Sequence, residues 1–345
     1  MAHSVIQYGG YECVRVGPFT NSIWTHDCRI EYGWRTGFQI VRGCSHVVFE
    51  RCIINQDDFD AYDTNACFTL HSSDDDRIAD VLIRDCEMNC KLFSGTAGGA
   101  AISQVYHTTD LLTIDNTTIN VVADELPVLL AKGTTQIWKS KLSTNNYSAI
   151  VAEATSKVII EDTIIECASP NRPGLTAMGD MEINRCNIKT ANHCVYSIPS
   201  SGVDVHLIVK NSTIETSDTS ANGIYVQKTA AHANVSSFEI VGNTINSKIY
   251  IDQTGSTVSR KCTIADNNIN TPSGSRGVQI PSTATTQYKL LTIRDNIVAQ
   301  GTDGILLNSA GCAVITGNDV SGCKKGITAT NEKNIVKDNI LPATT

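Results

Sequence analysis

The sequence predicts an all-β solenoid, a chain that winds through successive coils of short strands. Two observations predict it. A seven-residue phrase recurs along the chain every 21 to 34 residues, and the apolar residues around each copy alternate with polar ones. Repeats of this length are typical of stacked structural units that bury their apolar faces against one another. We therefore expect one solenoid domain over residues 1–345, with coils from about residue 10 to 342.

The phrase is clearest near the C-terminus, in the copies IADNNIN, IRDNIVA, ITGNDVS and VKDNILP. Its polar residue, called the marker here, identifies thirteen rungs. The position two residues after the marker is apolar at all thirteen rungs, and the position three before it at twelve, with Thr25 as the exception. The markers are Asn339, Asn318, Asn296, Asn267, Asn243, Ser212, Cys186, Thr163, Ser140, Thr117, Cys86, Cys52 and Cys28.

The apolar residues are mostly β-branched and recur with a period of two, which indicates strands rather than helices. The doublets Asp-Asn and Gly-Asn fit a sharp bend with one residue at positive φ. Asn side chains can also hydrogen-bond along a stack of coils. Where Cys, Thr or Ser replaces Asn at the early rungs, we expect packing of small side chains instead.

A second strand precedes each phrase and reads glycine-apolar-x-apolar, as in GFQIV, GIYVQ, GVQIP and GILLN. A third short strand follows the bend. The sequence thus predicts three short strands per coil and about 12–13 coils.

This coil pattern resembles the right-handed parallel β-helix of the pectate-lyase-like superfamily, and most of all the β-helix domain of a bacteriophage tailspike. The resemblance covers residues from about 10 to 342 and implies a single-stranded right-handed parallel β-helix. The superfamily includes pectate lyases, polygalacturonases, epimerases and tailspikes, so the fold alone does not give the activity. The catalytic motifs of the first three groups are absent from this sequence.

Composition limits the partners that we expect. The net charge is −8 and no stretch is long and apolar enough to span a bilayer, so we expect neither nucleic-acid binding nor membrane insertion. The N-terminus does not read as a signal peptide. The thirteen cysteines lack zinc-site spacing, and we expect most to be buried free thiols of a chain made in a reducing cytosol.

Three tyrosines point to a carbohydrate platform. Strand alternation places Tyr225 on the outer face of GIYVQ, and Tyr196 and Tyr250 at the same position of the neighbouring coils. A row of aromatic faces on consecutive coils can bind a sugar chain, or it can merely stabilise the sheet. We expect no comparable role for the eight scattered histidines; His193, for example, reads as a surface residue.

Two carboxylates near this row are candidates for acid–base hydrolysis. Glu153 follows the outer strand SAIVA and Asp180 follows GLTAMG, in adjacent coils. Glycoside hydrolysis needs two such groups at a defined separation. Arg172, in the intervening loop, could hold a substrate carboxylate or orient the acid. Asp124 and Glu125 lie in the preceding entry loop and complete the expected substrate-binding set. The alternative interpretation is solvated loop charges.

A second acidic group surrounds the longest excursion between rungs and consists of Asp57, Asp58, Asp60 and Asp63. Its oxygens could hold Ca²⁺, but the spacing of an EF-hand is absent and a solvated acidic loop is favoured. We therefore predict no required cofactor and no other metal.

Together these features predict a carbohydrate-binding, polysaccharide-degrading β-helix of tailspike type that acts on a bacterial surface polysaccharide. The resemblance implies a virion protein made in the host cytoplasm, as a homotrimer or capped by other domains or subunits. Two alternatives stay open. One is a non-catalytic structural or adhesive solenoid of a virion or surface assembly; the other is an extracellular polysaccharide lyase or epimerase.

Overall fold

The computed structural model describes residues 1–7, 12–31, 36–56, 66–71, 76–92, 100–105, 110–123, 126–199, 204–227, 237–252, 257–281, 287–308 and 312–343. These residues form strands and turns without any helix, so none of them belongs to a helix able to cross a membrane. The chain divides into two compact units, Met1–Leu175 and Thr176–Thr345.

The first unit contains short strands only. They are β1 (Val5–Gln7), β2 (Glu12–Val16), β3 (Asn21–His26), β4 (Arg29–Glu31), β5 (Thr36–Val41), β6 (Ser45–Glu50), β7 (Ile53–Gln56), β8 (Ala66–His71), β9 (Ala79–Arg84), β10 (Glu87–Leu92), β11 (Ile102–Val105), β12 (Leu112–Asp115), β13 (Thr118–Ala123), β14 (Leu129–Ala131), β15 (Thr134–Trp138), β16 (Lys141–Thr144), β17 (Ile150–Ala152), β18 (Lys157–Glu161) and β19 (Ile164–Cys167).

The second unit also contains short strands, and β20 (Leu175–Ala177) crosses the boundary between the two units. Its strands are β21 (Asp180–Asn184), β22 (Asn187–Thr190), β23 (Val195–Ser197), β24 (His206–Lys210), β25 (Thr213–Thr216), β26 (Asn222–Gln227), β27 (Ser237–Val241), β28 (Thr244–Ile245), β29 (Lys248–Asp252), β30 (Thr257–Ala265), β31 (Asn268–Asn270), β32 (Arg276–Ile280), β33 (Gln287–Arg294), β34 (Ile297–Ala299), β35 (Asp303–Leu307), β36 (Ala313–Thr316), β37 (Lys325–Ala329) and β38 (Ile335–Lys337).

Within each unit a strand pairs in parallel with its counterpart one coil later. In the first unit β1 pairs with β4, β4 with β7 and β7 with β10, and the other two sheets follow the same rule. In the second unit the rule holds as far as β33, after which β35 pairs with β37 and β36 with β38. Three parallel sheets with three strands per coil define a parallel β-solenoid, as the sequence predicts.

Each coil turns its corner at the residue before the marker. Asp266 and Asp295 adopt φ angles of 57° and 53°, and the residue at this position has positive φ at all thirteen rungs. Asp, Asn and Gly tolerate this left-handed conformation best, which explains the doublets in the phrase. The bend is therefore made by the first residue of the doublet, and the marker is left free for another task.

That task is to accept a backbone hydrogen bond from the marker of the preceding coil. The amide of Asn243 donates to Oδ1 of Asn267 at 3.0 Å, and the amide of Asn267 donates to Oδ1 of Asn296 at 3.1 Å. Nδ2 of Asn267 also donates to the Ile240 carbonyl at 2.9 Å. These amide side chains are almost completely buried. The ladder thus satisfies backbone donors that would otherwise be buried without a partner.

The markers of the first unit make the same backbone hydrogen bond, but a hydroxyl oxygen or a sulfur is the acceptor. The amide of Thr117 donates to Oγ of Ser140 at 3.1 Å, and that of Cys28 donates to Sγ of Cys52 at 3.4 Å. The expectation that mere packing of small side chains replaces hydrogen bonding at these rungs is therefore wrong. Asn, Ser, Thr and Cys are interchangeable here because each offers an acceptor at the same short reach.

Apolar rows fill the interior of both units. Ile214 is paired in register with Ile245, and Ile245 with Ile269, and all three are inaccessible to solvent. In the first unit Phe38 stacks on Phe68 with ring centroids 5.2 Å apart. At the last rung, by contrast, Leu341 is 55% exposed, because no described strand stacks beyond it.

The glycine that opens the second strand is required by these rows. A Cβ added to Gly223 would lie 2.6 Å from Cγ2 of Ile245, and one added to Gly277 would lie 2.2 Å from Cγ1 of Val298. Ile245 and Val298 are the apolar residues two positions after a marker. The corner and the strand start therefore approach too closely for any larger residue than glycine.

Cysteines lie mainly inside the coils, as expected. Nine of the eleven free thiols are buried, whereas Cys13 is half-buried and Cys312 is exposed. The other two cysteines, Cys67 and Cys90, form a disulfide, which the sequence did not indicate. Their Cα atoms are 6.4 Å apart on β8 and β10 of the first unit.

The corner ladder gives a direct stability prediction. We expect Asn267→Ala to lower the free energy of unfolding by about 2–4 kcal/mol, because it leaves the amide and Nδ2 of Asn243 without their acceptor. The neighbouring exposed Asn268→Ala is the matched control and should cost less than about 0.5 kcal/mol. Urea unfolding of both variants measures the difference; equal losses would contradict the role of the ladder.

Candidate functional site

The three predicted tyrosines lie in one row on the outer face of the second unit. Tyr196 on β23 is paired in register with Tyr225 on β26, and Tyr225 with Tyr250 on β29. Their ring centroids are 5.1 and 5.0 Å apart, with interplanar angles of 37° and 58°. Val195 and Ile224, one residue before the first two rings, are fully buried. The alternation that predicts the row is thus confirmed; its role in binding stays a prediction.

The phenol groups of this row remain protonated at neutral pH. Burial raises the pKa of Tyr196, and burial together with the nearby charge of Asp252 raises the pKa of Tyr225 to about 12. The pKa of Tyr250 is raised for the same reasons. The Tyr196 hydroxyl donates a short hydrogen bond to Oε1 of Gln227. The row therefore offers aromatic faces together with neutral hydroxyl groups.

The aromatic surface extends over three coils. Tyr250 is paired with Gln279 on β32, and Gln279 with Leu306 on β35. The following partner, on β37, is Thr328. The aromatic faces thus end at Tyr250, while the same outer row continues with a polar and then an aliphatic side chain.

His193 belongs to this surface, although the sequence suggests an ordinary surface histidine. Its ring is half-buried and contacts Tyr225 edge-on at 5.4 Å between centroids. Nδ1 accepts a hydrogen bond from the amide of Asn222 at 2.8 Å, so the neutral ring carries its proton on Nε2. Burial, with the positive charge of Lys248, lowers the pKa of His193. No signal in the sequence pairs it with tyrosines of later coils.

The two candidate carboxylates lie in different units. Glu153 follows β17 in the first unit, is partly exposed, and lies 3.5 Å from Nζ of Lys132 through Oε2. Asp180 opens β21 in the second unit, where Oδ1 accepts a hydrogen bond from the amide of His206 at 2.8 Å. Their expected proximity and their acid–base roles remain predictions.

Arg172 lies within the described residues, whereas Asp124, Glu125 and the expected calcium group do not. Arg172 is in the first unit, where its guanidinium stacks on the ring of Tyr147 at 4.8 Å. That contact orients the side chain without assigning it a substrate. Asp124 and Glu125 of the entry loop lie outside the described residues, as does the expected calcium group of Asp57, Asp58, Asp60 and Asp63.

One set of described metal-type donors occurs in the first unit. His3, His26 and Asp27 place ligand atoms within 4.8 Å of one another. Arg51 binds the Asp27 carboxylate through two bonds of 2.7 and 2.8 Å, and with His26 it holds the pKa of that carboxyl well below its usual range. The charge of Asp27 is therefore already neutralised by a guanidinium, and the set does not suit a cation.

A hollow of about 630 Å³ lies in the first unit beside the corner ladder. Its lining includes Arg51, Asp85 and Asn116. Nδ2 of Asn116 donates to Oδ1 of Asp85 at 2.6 Å, and Arg51 is paired with Asp27. These polar groups already have partners, which makes the hollow a weaker candidate than the tyrosine row.

Comparison with known proteins agrees with the observed fold. Residues 174–341 match the family model described as a right handed beta helix region. The description of this family model agrees with the fold class observed here, a parallel β-solenoid with three strands per coil. No curated protein and no solved structure matches the chain.

The position of His193 predicts a pH dependence. Its pKa is lower in the folded protein than the usual value near 6.5 in the unfolded chain. The unfolded chain therefore binds more protons between these values, so His193 stabilises the fold above about pH 6.5 and this contribution is lost as the pH falls through the folded pKa. The wild type should lose more thermal stability between pH 8 and pH 5 than His193→Gln. Parallel losses would show that His193 titrates normally.

Proposed function

We propose that this protein binds a polysaccharide along the row formed by Tyr196, Tyr225 and Tyr250. The observation that carries the proposal is the in-register stack of three half-buried aromatic rings on consecutive coils. Aromatic side chains combine an apolar face with a polar tip, which suits a ligand that is apolar on its ring face and polar at its rim. A row several coils long favours a polymer over a single sugar.

The solenoid scaffold supports this assignment in a second way. The rows that stabilise the fold point inward, whereas the tyrosines point outward and are not needed to fill the core. Sites presented on rigid strands hold their geometry better than sites presented on loops. A face of parallel strands in register is thus well suited to an extended chain of sugars.

We further propose that the protein is of tailspike type and hydrolyses a bacterial surface polysaccharide. Glu153 and Asp180 would act as acid and base, and Arg172 would hold a substrate group. Glu153 and Asp180 are both partly exposed, as side chains that meet a substrate must be. The non-catalytic solenoid predicts binding without new reducing ends, and a lyase or epimerase predicts Ca²⁺ dependence or an ultraviolet-absorbing product.

Assembly and location are part of the same proposal. A tailspike-type protein would be made in a host cytoplasm and incorporated into a virion as a homotrimer, or covered by other domains or subunits. Apolar side chains at the last rung of the second unit, Ile335, Val336, Ile340 and Leu341, are about half exposed and offer a surface for such a contact. Light scattering of the purified chain would measure the oligomeric state.

Removal of the central ring tests the binding proposal. Tyr225→Ala should weaken polysaccharide binding about tenfold, because a stacking contact is worth about 1 to 1.5 kcal/mol. Tyr225→Phe keeps the ring and should retain most of the affinity. Titration calorimetry with the best binder from a panel of bacterial capsular and O-antigen polysaccharides gives both values. If Tyr225→Ala lowers only the melting temperature and leaves binding intact, the row is a structural ladder.

Neutralisation of the carboxylates tests the hydrolytic part. Glu153→Gln and Asp180→Asn should each reduce the release of reducing ends at least 100-fold without unfolding the protein, since each removes a proton-transfer group. Glu166→Gln, on an exposed part of β19, is a control with the same change of charge. Full activity of both variants would exclude this pair, and wild-type binding without any cleavage would favour the adhesive solenoid.

A further inference from the structure

A lysine flanks the tyrosine row and has no ion-pair partner among the residues that the structure describes. Lys248 lies two residues before Tyr250 on β29, so both side chains are on the outer face, and Lys248 is half-buried. No described carboxylate lies within ion-pair distance of its ammonium group. The negative charge of Asp218 raises the pKa of Lys248 without direct contact. Burial and the charge of Arg276 lower the pKa of Lys248.

The neighbouring charged groups are already occupied. Arg276 binds the Asp303 carboxylate at 3.0 Å. Asp218 accepts hydrogen bonds from the amide and hydroxyl of Ser220, both at 2.8 Å, which lowers the pKa of its carboxyl. Lys248 is therefore the cation at this end of the row whose charge is left for a ligand.

His193 adds a second donor beside Lys248. Its Nδ1 is engaged by the amide of Asn222, which leaves the proton on Nε2. None of the residues described in the structure accepts a hydrogen bond from this Nε2–H group. Lys248 is paired in register with Asn222, the residue whose amide binds His193, so strand pairing places Lys248 close to His193. The positive charge of Lys248 also lowers the pKa of His193. An ammonium and an N–H group that both lack acceptors make a site for an oxygen-rich anion.

We propose that Lys248 and the Nε2–H group of His193 form an anion subsite at the edge of the tyrosine row, so that the bound polysaccharide is acidic. The proposal rests on the binding function assigned to that row. The anion would be a carboxylate of a uronic-acid residue or a phosphodiester of the glycan backbone, since both present oxygens to an ammonium group.

Because the chain is negatively charged overall, binding of an acidic glycan would depend on this subsite. The protein carries a net charge of −8 and would repel an acidic polymer over most of its surface. A local unpaired cation is therefore needed if an acidic glycan is to bind. Binding would also replace the water lost by the half-buried ammonium group with a hydrogen-bonded counter-charge.

An array of bacterial polysaccharides tests the proposal. Each uronic-acid glycan is placed beside its carboxyl-reduced form, which has the same backbone without the charge, and phosphodiester-linked and neutral glycans form two further groups. Binding is measured for the wild type and for the variants Lys248→Gln, Lys248→Arg, Lys189→Gln, His193→Gln and Tyr225→Ala. Lys189 is exposed on β22 of another sheet, so its variant has the same change of charge as Lys248→Gln.

We expect the wild type to bind an acidic glycan at least tenfold more tightly than its neutral counterpart. Lys248→Gln should abolish this preference, whereas Lys248→Arg and Lys189→Gln should keep it. His193→Gln should weaken the preference without removing it. A preference for the carboxylate or the phosphodiester group identifies the source of the anion.

Two outcomes overturn the proposal and differ from each other. If neutral and acidic glycans bind equally and only Tyr225→Ala loses binding, the anion subsite is wrong but the tyrosine platform stands. If no glycan of any group binds, both proposals fail. Unchanged near-ultraviolet circular dichroism of the Lys248 variants, which reports the tyrosine row, shows that the fold is intact in each case.

Discussion

In-register parallel stacking of one coil on the next is the constraint on which the rest of this structure depends. Every strand must repeat its position one coil later, so every corner must turn at the same place and leave no backbone amide unsatisfied. A residue at positive φ, such as Asp266, makes the turn, and the following marker accepts the amide of the preceding coil. The glycine of the second strand then follows from the close approach of the corner, as at Gly277.

The same constraint separates stability from recognition. Inward side chains form continuous apolar rows, and outward side chains form equally regular rows that are free to vary. A surface such as the tyrosine row needs only one outward position to be aromatic in three successive coils. The charged groups beside it, including Lys248, are placed by the same repetition two residues away along the strand. A polymer-binding face is therefore simple to build on this scaffold.

Much of the fold could be predicted from sequence because the repeat is a one-dimensional signal. The marker, the inward rows and the outward row of Tyr196, Tyr225 and Tyr250 all follow from spacing and alternation. The role of the Cys52 sulfur could not be predicted. Residue type alone does not show that a thiol can accept the same backbone hydrogen bond as an amide oxygen. The contact of His193 with Tyr225 depends on the side chain of a corner residue, which has no period to reveal it. Pairing of Cys67 with Cys90 was hidden for another reason: it joins strands of two different sheets, whereas the repeat reveals stacking within a sheet.

The most direct test of the central claim is a crystal structure of the protein with an oligosaccharide prepared from the polysaccharide that it binds best. We expect sugar rings stacked over Tyr196, Tyr225 and Tyr250 on the outer face of the second unit. We also expect an acidic group of the ligand within hydrogen-bond distance of Lys248. A ligand bound elsewhere, with the tyrosine row unoccupied, would contradict the account and leave the row as part of the scaffold.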